Sequence, residues 1–310
     1  MRMKRALHLL GVVLVIVSLA YLVHFAVRHA DSLPDVHWDN RAVAGLGSAV
    51  ALYGLALLSS ASAWHLLLLS AGERPRFRST AAIFLLSQIG KYFPGNFAHY
   101  VGRVALAKEQ GLGARPVLFT LAFEATGAIL AGIAVAAELP GGEDMRGQVG
   151  PLQPAAALLV VAVVVLASRL VDSPRFEAWS RFPSPTLQPP RNQRGLLWLA
   201  CVGLYSFNFF IFAACAALLA RTLLGASAAP LPALAALMAA AWVAGFVTPG
   251  APAGLGVREA ILVAGLRPLY GPGVALSLPL FFRLVTTLAD ALAFGVGLLL
   301  RRSASRPGET

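Results

Sequence analysis

One spacing occurs twice in this 310-residue chain, and it constrains the fold more than any other sequence feature. A Gly stands four residues before a Pro-Gly pair, and an Arg follows nine residues after the Pro. The copies are segments 90–103 and 245–258, displaced by 155 residues, half the chain length. Composition alone would produce roughly 0.01 accidental copies, so the spacing indicates an internal repeat. The defining positions are Gly90, Pro94, Gly95 and Arg103, then Gly245, Pro249, Gly250 and Arg258.

The surrounding composition is that of a polytopic membrane protein. Hydrophobic residues make up 58% of the chain and charged residues 13%, whereas a soluble domain carries about 25% charged residues. Several apolar runs reach the ~20 residues needed to cross ~30 Å of hydrocarbon. The net charge of +11 falls mostly in short loops beside these runs, where Lys and Arg set topology and meet lipid headgroups. We therefore expect no nucleic-acid partner.

Hydropathy predicts six full spans and two shorter broken segments. The spans are 6–27, 42–71, 116–139, 152–171, 196–221 and 272–300. Segment 80–93 would give only about 21 Å of helix before Pro94, which is too short to cross. Together with 97–107 it predicts a hairpin that enters and leaves by one face. Segment 230–248 followed by 254–268 predicts a second hairpin, although its first limb is long enough for a full crossing.

The loop charges agree with this count. With a cytoplasmic N-terminus, the inner segments hold 13 Lys and Arg and the outer segments hold 3, as the positive-inside rule requires. One extra crossing within 80–107 would place the acidic loop 140–151 inside. We therefore expect a multi-pass protein of a plasma membrane with both termini cytoplasmic.

The fold class predicted is an all-α polytopic membrane protein with two inverted halves. About six transmembrane helices and two re-entrant broken-helix hairpins are expected, or eight helical spans if the hairpins are counted. Residues 1–310 form one membrane domain, 1–150 being the first half-repeat and 151–310 the second, with 172–195 as a cytoplasmic connector. Three crossings in each half orient the halves oppositely, an arrangement typical of alternating-access transporters.

Polar residues gather at the first break, where freed backbone N–H groups and a helix dipole favour an anion. They are Lys91, Tyr92, Asn96, His99 and Arg103. This set suits a phosphate headgroup. The alternative is that Lys91 and Arg103 only mark the membrane interface.

At the second break, Arg258 is expected to face the substrate, and Gly254 and Gly256 to permit close backbone approach. Its neighbour Glu259 points to another face of the helix, either to bind substrate or to form an ion pair that pins the hairpin. No cofactor or metal site is expected from the sequence.

Three ionisable residues lie deep within predicted spans, where an unpaired charge costs at least ~2.5 kcal/mol. They are Glu124, Arg283 and Asp290. Arg283 and Asp290 are seven residues apart and share a helix face, and we expect Glu124 to pair with Arg283 across the two halves. The pair could be a lock, a gate or a proton relay. Asn208, also mid-span, is interpreted as a contact between helices rather than as a ligand.

The segments GKYFPGNFAHYVGRVALAKEQG and TPGAPAGLGVREAIL resemble the two hallmark motifs of the lysylphosphatidylglycerol synthase transmembrane-region family, also called flippase-like or UPF0104 proteins. The resemblance implies a prokaryotic plasma-membrane protein linked to movement of aminoacylated phosphatidylglycerol or to polyprenyl-phosphate sugar pathways. The matching positions are Gly90, Tyr92, Pro94, Gly95, Arg103, Gly254, Gly256, Arg258 and Glu259; Ala253 stands where the family commonly has Gly. The soluble aminoacyl-transfer domain is absent from this sequence, so lysyl transfer is not expected.

These features favour a translocator of an anionic phospholipid or lipid-linked phosphate, with Arg103 and Arg258 contacting phosphate and membrane lipids as its partners. The alternative is a non-transporting membrane partner of a lipid-modifying or glycosyltransferase enzyme. A third hypothesis, an intramembrane transferase with Glu124 or His99 as base, has no enzyme motif in the sequence to support it.

Overall fold

A computed structural model describes residues 38–92, 98–138, 191–248 and 254–304, together with isolated positions at 27, 162, 165, 166 and 169. Within these residues the regular secondary structure is helical throughout. The helices are α1 (Asn40–Ser70), α2 (Phe77–Ser87), α3 (Ala98–Glu109), α4 (Ala114–Ala136), α5 (Arg191–Leu223), α6 (Leu231–Val247) and α7 (Val257–Ala304), and a 3-10 turn (Gln88–Tyr92) extends α2. Apart from those isolated positions, predicted spans 6–27 and 152–171 lie outside the described residues.

Four of these helices are long and apolar enough to cross a membrane: α1, α4, α5 and α7. They coincide with the predicted spans 42–71, 116–139, 196–221 and 272–300. Helix α7 also includes most of the predicted limb 254–268. The limb and the span 272–300 are therefore not joined by a loop: only Gly271 (φ 78°, ψ 172°) lies outside helical geometry between them. A left-handed φ is accessible to Gly at little cost, so one residue can redirect the helix without a loop.

Local sequence explains where several helices begin and end. The carboxylate of Asp39 accepts a hydrogen bond from the N–H of Ala42 at 2.8 Å and so caps α1. Pro232 occupies the first turn of α6, where a missing N–H costs nothing. Helix α5 ends just before Gly225, which has a φ of 59°.

Helices α1 and α5 form the most extensive helix pair among the described elements. Small residues allow this close approach: a Cβ on Gly45 would collide with the side chain of Thr222. Asn208 of α5 donates to Ser60 Oγ of α1 at 2.9 Å, the helix-to-helix contact expected from sequence. The shorter helix α2 packs against α1 and the shorter helix α6 against α5, whereas α3 contacts α2 and α4.

At both motif copies, residues nine positions apart in the chain lie in close contact. A Cβ on Gly90 would lie 2.5 Å from the backbone N of His99, so the end of the 3-10 turn touches the start of α3. A Cβ on Gly245 would lie 3.2 Å from the Cα of Gly254. The 155-residue displacement maps the first contact directly onto the second. Pro94, Gly95 and Asn96, and likewise Pro249 and Gly250, lie outside the described residues.

Candidate functional site

A cavity of about 150 Å³ lies between the α1–α5 pair and the helix segments on either side of the two motif copies. By volume it holds roughly ten water molecules, or a small polar headgroup. Four cationic side chains line it together with one carboxylate, and aromatic rings form much of the remaining wall. The charged residues are Lys91, Arg103, Arg258, Arg283 and Glu124.

The positive charge of Arg103 is compensated by a neighbouring carboxylate. Its guanidinium Nη1 lies 2.5 Å from a carboxylate oxygen of Glu124, and its Nε donates to Ser87 Oγ at 3.2 Å. The other oxygen of Glu124 accepts from the hydroxyl of Tyr205 at 2.6 Å. The side chains of Arg103 and Glu124 are 2% and 6% exposed, so this is a buried, hydrogen-bonded ion pair.

Aromatic rings enclose the Arg103 guanidinium on the sides that the carboxylate leaves open. Its central carbon lies 4.1 Å from the ring centre of Phe84 and 5.2 Å from that of Trp64. Such cation–π contacts further stabilise the charge in place. The predicted pairing of Glu124 with Arg283 is therefore wrong: α3 approaches α4 closely enough for Arg103 to occupy this carboxylate.

Lys91 belongs to a second polar cluster. Its Nζ lies 2.7 Å from Asp290 Oδ2 and donates to the hydroxyl of Tyr53 at 3.2 Å. Tyr92 donates to the same Asp290 carboxylate at 2.6 Å. Asp290 is only 1% exposed, and these two residues compensate its buried charge. The cluster ties the 3-10 turn (Gln88–Tyr92) to α7, and Lys91 is the member of the ion pair that reaches the cavity.

Arg258 differs from Arg103 and Lys91, which are both paired with carboxylates. It is half-buried on the cavity wall, yet among the described residues it makes no hydrogen bond or ion pair. Its aliphatic carbons pass between two glycines: a Cβ on Gly254 would lie 2.6 Å from Arg258 Cδ, and one on Gly245 would collide with the same stem. The two glycines therefore create the slot that holds this side chain.

Glu259 does not line the cavity. Its carboxylate accepts from the N–H of Gly256 at 2.7 Å and lies 4.0 Å from Arg283. These contacts fix the start of α7. They agree with the ion-pair role considered for Glu259 rather than with substrate binding. Gly256 has a φ of 86°, which explains the need for Gly at this turn.

Several polar cavity residues were not identified from the sequence: Tyr53, Ser60, Gln88 and Tyr205. A usable signal existed for the two tyrosines. Tyrosine in membrane proteins concentrates at the two interfaces, but Tyr53 and Tyr205 fall inside predicted spans. A hydroxyl at that depth requires a polar partner, and here the partners are Lys91 and Glu124.

The apolar spans and the buried polar cavity define a helical, multi-pass integral membrane protein. The chain matches the family described as "Lysylphosphatidylglycerol synthase TM region" over residues 5–293, and it belongs to that family. This confirms the resemblance drawn from the two motifs and links the protein to lipid metabolism. Among curated proteins no match is found.

Proposed function

We propose that this protein translocates an anionic phospholipid or a lipid-linked phosphate, and that Arg258 binds the phosphate inside the cavity. The observation that carries the proposal is the state of Arg258: a half-buried guanidinium on a cavity wall without a hydrogen-bond or ion-pair partner in the described part of the chain. A partly desolvated cation of this kind gains strongly from an anionic ligand, and a guanidinium matches the bidentate geometry of phosphate oxygens.

The roles of the two motif arginines are then different. Arg103 is engaged by Glu124 and Ser87, so we assign it to holding the first hairpin in place rather than to contacting phosphate. Lys91 borders the cavity while paired with Asp290, and it can lend a second positive charge to a ligand without leaving that carboxylate. Phosphate binding therefore falls mainly to the second break.

The proposed architecture places these groups within the membrane. It has two inverted halves, six full spans and two re-entrant hairpins that approach the cavity from opposite faces. In its support, the 155-residue displacement maps Phe77–Tyr92 onto 232–247, close to α6 (Leu231–Val247). The glycine contacts at the two breaks correspond in the same way. Inverted repeats with broken helices at their interface suit alternating access to a central site.

We further propose that the protein is not an enzyme and that it acts in a prokaryotic plasma membrane with both termini cytoplasmic. Membrane lipids are its partners in this scheme. The loop charges of the sequence and the family membership support these assignments.

The test is reconstitution of the purified protein in vesicles that contain a fluorescent anionic phospholipid, with its movement between leaflets followed by quenching. We expect Arg258→Ala to reduce lipid binding and transfer about 10- to 100-fold, because it removes a charge-assisted contact. Arg267→Ala is the matched control, since Arg267 is an exposed arginine of the same helix outside the cavity. It should behave like the parent protein.

Two results would contradict the proposal. Equal transfer by the parent protein and Arg258→Ala would exclude Arg258 as the phosphate-binding residue. Binding without any transfer by the parent protein would exclude translocation and would favour the non-transporting partner of a lipid-modifying enzyme.

A further inference from the structure

We infer that Asn208 is a specificity-determining residue: its side-chain oxygen accepts a hydrogen bond from an O–H or N–H of the headgroup whose phosphate Arg258 binds. The cavity would thus select phosphate headgroups that carry a hydrogen-bond donor. This inference rests on the proposed function and names the chemical class of ligand.

The hydrogen bonds around Asn208 fix the orientation of its amide. Ser60 Oγ donates its single proton to the carbonyl of Ala56 at 3.0 Å, so towards Asn208 it can act only as an acceptor. With that bond in place, the group that faces Ser60 at 2.9 Å is assigned as the Asn208 NH₂, which donates to it. The amide oxygen, Oδ1, therefore points away from Ser60.

That oxygen has no hydrogen-bond partner among the described residues. Asn208 is 3% exposed, its Oδ1 is buried, and no hydrogen bond to Oδ1 forms within the chain as described. A buried amide oxygen left without a donor is destabilising, and native proteins rarely keep one without a reason. Asn208 borders the cavity, so a ligand in the cavity is where the missing donor can come from.

The repeat gives a reason for the missing donor among the described residues. The 155-residue displacement relates Asn208 to Tyr53, which also borders the cavity and whose hydroxyl receives a hydrogen bond from Lys91. The same displacement relates Lys91 to Phe246, a cavity residue without a donor. The second half therefore keeps the acceptor but lacks the lysine that satisfies its counterpart. The two arginines follow the same pattern: Arg103 has a carboxylate partner, and Arg258, its counterpart in the repeat, has none among the described residues.

A second orphaned atom lies in the same wall. His99 is 8% exposed, and its ring Nδ1 is buried without a partner in the described chain. Beside the cationic Arg258, the cavity thus offers a fixed acceptor at Asn208 and a ring nitrogen at His99. A phosphate ester with a neighbouring hydroxyl or amine satisfies this combination, whereas one that ends in methyl groups leaves Asn208 Oδ1 unpaired.

The experiment compares pairs of lipids that have equal charge and differ in donors. Phosphatidylglycerol and phosphatidylmethanol are both anionic, but only the first has headgroup hydroxyls. Phosphatidylethanolamine and phosphatidylcholine are both zwitterionic, but only the first has N–H groups. Each pair competes for the purified full-length protein, and the bound ratio is read by native mass spectrometry. We expect the donor-bearing lipid to be preferred about 5- to 10-fold in both pairs.

Two variants test the residue assignment. Asn208→Leu should lower the ratio to about one in each pair. Cys215→Ala is the control, because it also removes a contact between α1 and α5, the hydrogen bond from Cys215 Sγ to the carbonyl of Ala49, but lies outside the cavity lining and leaves Asn208 and Ser60 in place. It should retain the preference. The ratio within the parent protein needs no variant, so it remains informative if Asn208→Leu does not fold.

The outcomes separate the two proposals. A ratio of about one in the parent protein, or an unchanged ratio in Asn208→Leu, overturns this inference while the phosphate-binding role of Arg258 stands. Failure of the parent protein to bind any of the four lipids overturns this inference together with the phospholipid form of the proposed function.

Discussion

The two helix breaks carry equivalent arginines in opposite electrostatic surroundings. At the first break, Arg103 is 2% exposed and is paired with Glu124. At the second, Arg258 is half-buried and unpaired within the described residues. Both follow their Pro-Gly pair by the same interval, and the glycine contacts beside them correspond. The difference therefore lies in the side chains that each arginine meets.

Two substitutions between the halves account for the difference. The displacement that relates Arg103 to Arg258 relates Glu124 to Pro279, which has no carboxylate. It also relates Lys91 to Phe246, so Tyr53 has a donor while Asn208 Oδ1 has none among the described residues. Carboxylates compensate Arg103 and Lys91 of the first motif copy, whereas the described residues give Arg258 of the second copy no such partner. Under the proposed function, the first copy serves as a support and the second as the binding surface.

The largest effect should come from breaking the Arg103 ion pair. Arg103→Ala leaves the Glu124 carboxylate buried without its counter-charge, so we expect the free energy of unfolding to fall by about 3–5 kcal/mol. Arg258→Ala leaves no carboxylate behind and should cost less than about 1 kcal/mol. Unfolding in mixed detergent–SDS micelles measures both. Equal losses would remove the distinction between a supporting and a binding arginine.

Tyr92 provides the next test, because its hydroxyl donates to the buried Asp290 while the repeat-related Val247 is 56% exposed. Tyr92→Phe should cost about 1.5–3 kcal/mol, the range for a hydrogen bond to a charged group. Val247→Ala should change stability by no more than about 0.5 kcal/mol. The same unfolding assay applies. A larger loss for Val247→Ala would mean that the second break is anchored as firmly as the first.

The two hairpin glycines should respond differently to an added methyl group. At Gly90 the new Cβ would meet the backbone of His99, which cannot move aside, so Gly90→Ala should cost about 1–3 kcal/mol. At Gly245 it would meet the Arg258 side chain. Truncation of that side chain in a Gly245→Ala/Arg258→Ala double variant should recover part of the stability lost in Gly245→Ala. Additive losses in this double variant would show that the slot does not depend on Arg258.

The smallest change in the free energy of unfolding is expected at the exposed ion pair between the C-terminal ends of α7 and α3. Arg301 of α7 forms an ion pair with Glu109 of α3, but these side chains are 34% and 49% exposed. Water and salt screen such a pair, so Arg301→Ala should cost at most about 1 kcal/mol, and less at high salt. A loss that matches Arg103→Ala would show that charge pairing alone, without burial, decides stability here.

The sequence predicted the overall class and the polar cluster but not its pairings. Four long apolar helices coincide with predicted spans because apolar runs of this length report directly on lipid contact. Arg258 and Lys91 were placed at the candidate site from the motif alone, and both border the cavity. Glu124 was assigned to the wrong partner, because the choice between Arg103 and Arg283 depends on how α3 and α7 approach α4.

By itself, the sequence determined the apolar segments, the repeated helix breaks and the family, since these properties depend on local composition and spacing. The tertiary structure alone decided which charges are compensated. A guanidinium and a carboxylate interact strongly over only a few ångströms, and helix packing sets whether Glu124 lies beside Arg103 while Arg258 is left to the cavity. The same packing leaves Asn208 Oδ1 buried without a donor from the described residues, an atom-level property that no spacing in the chain reveals.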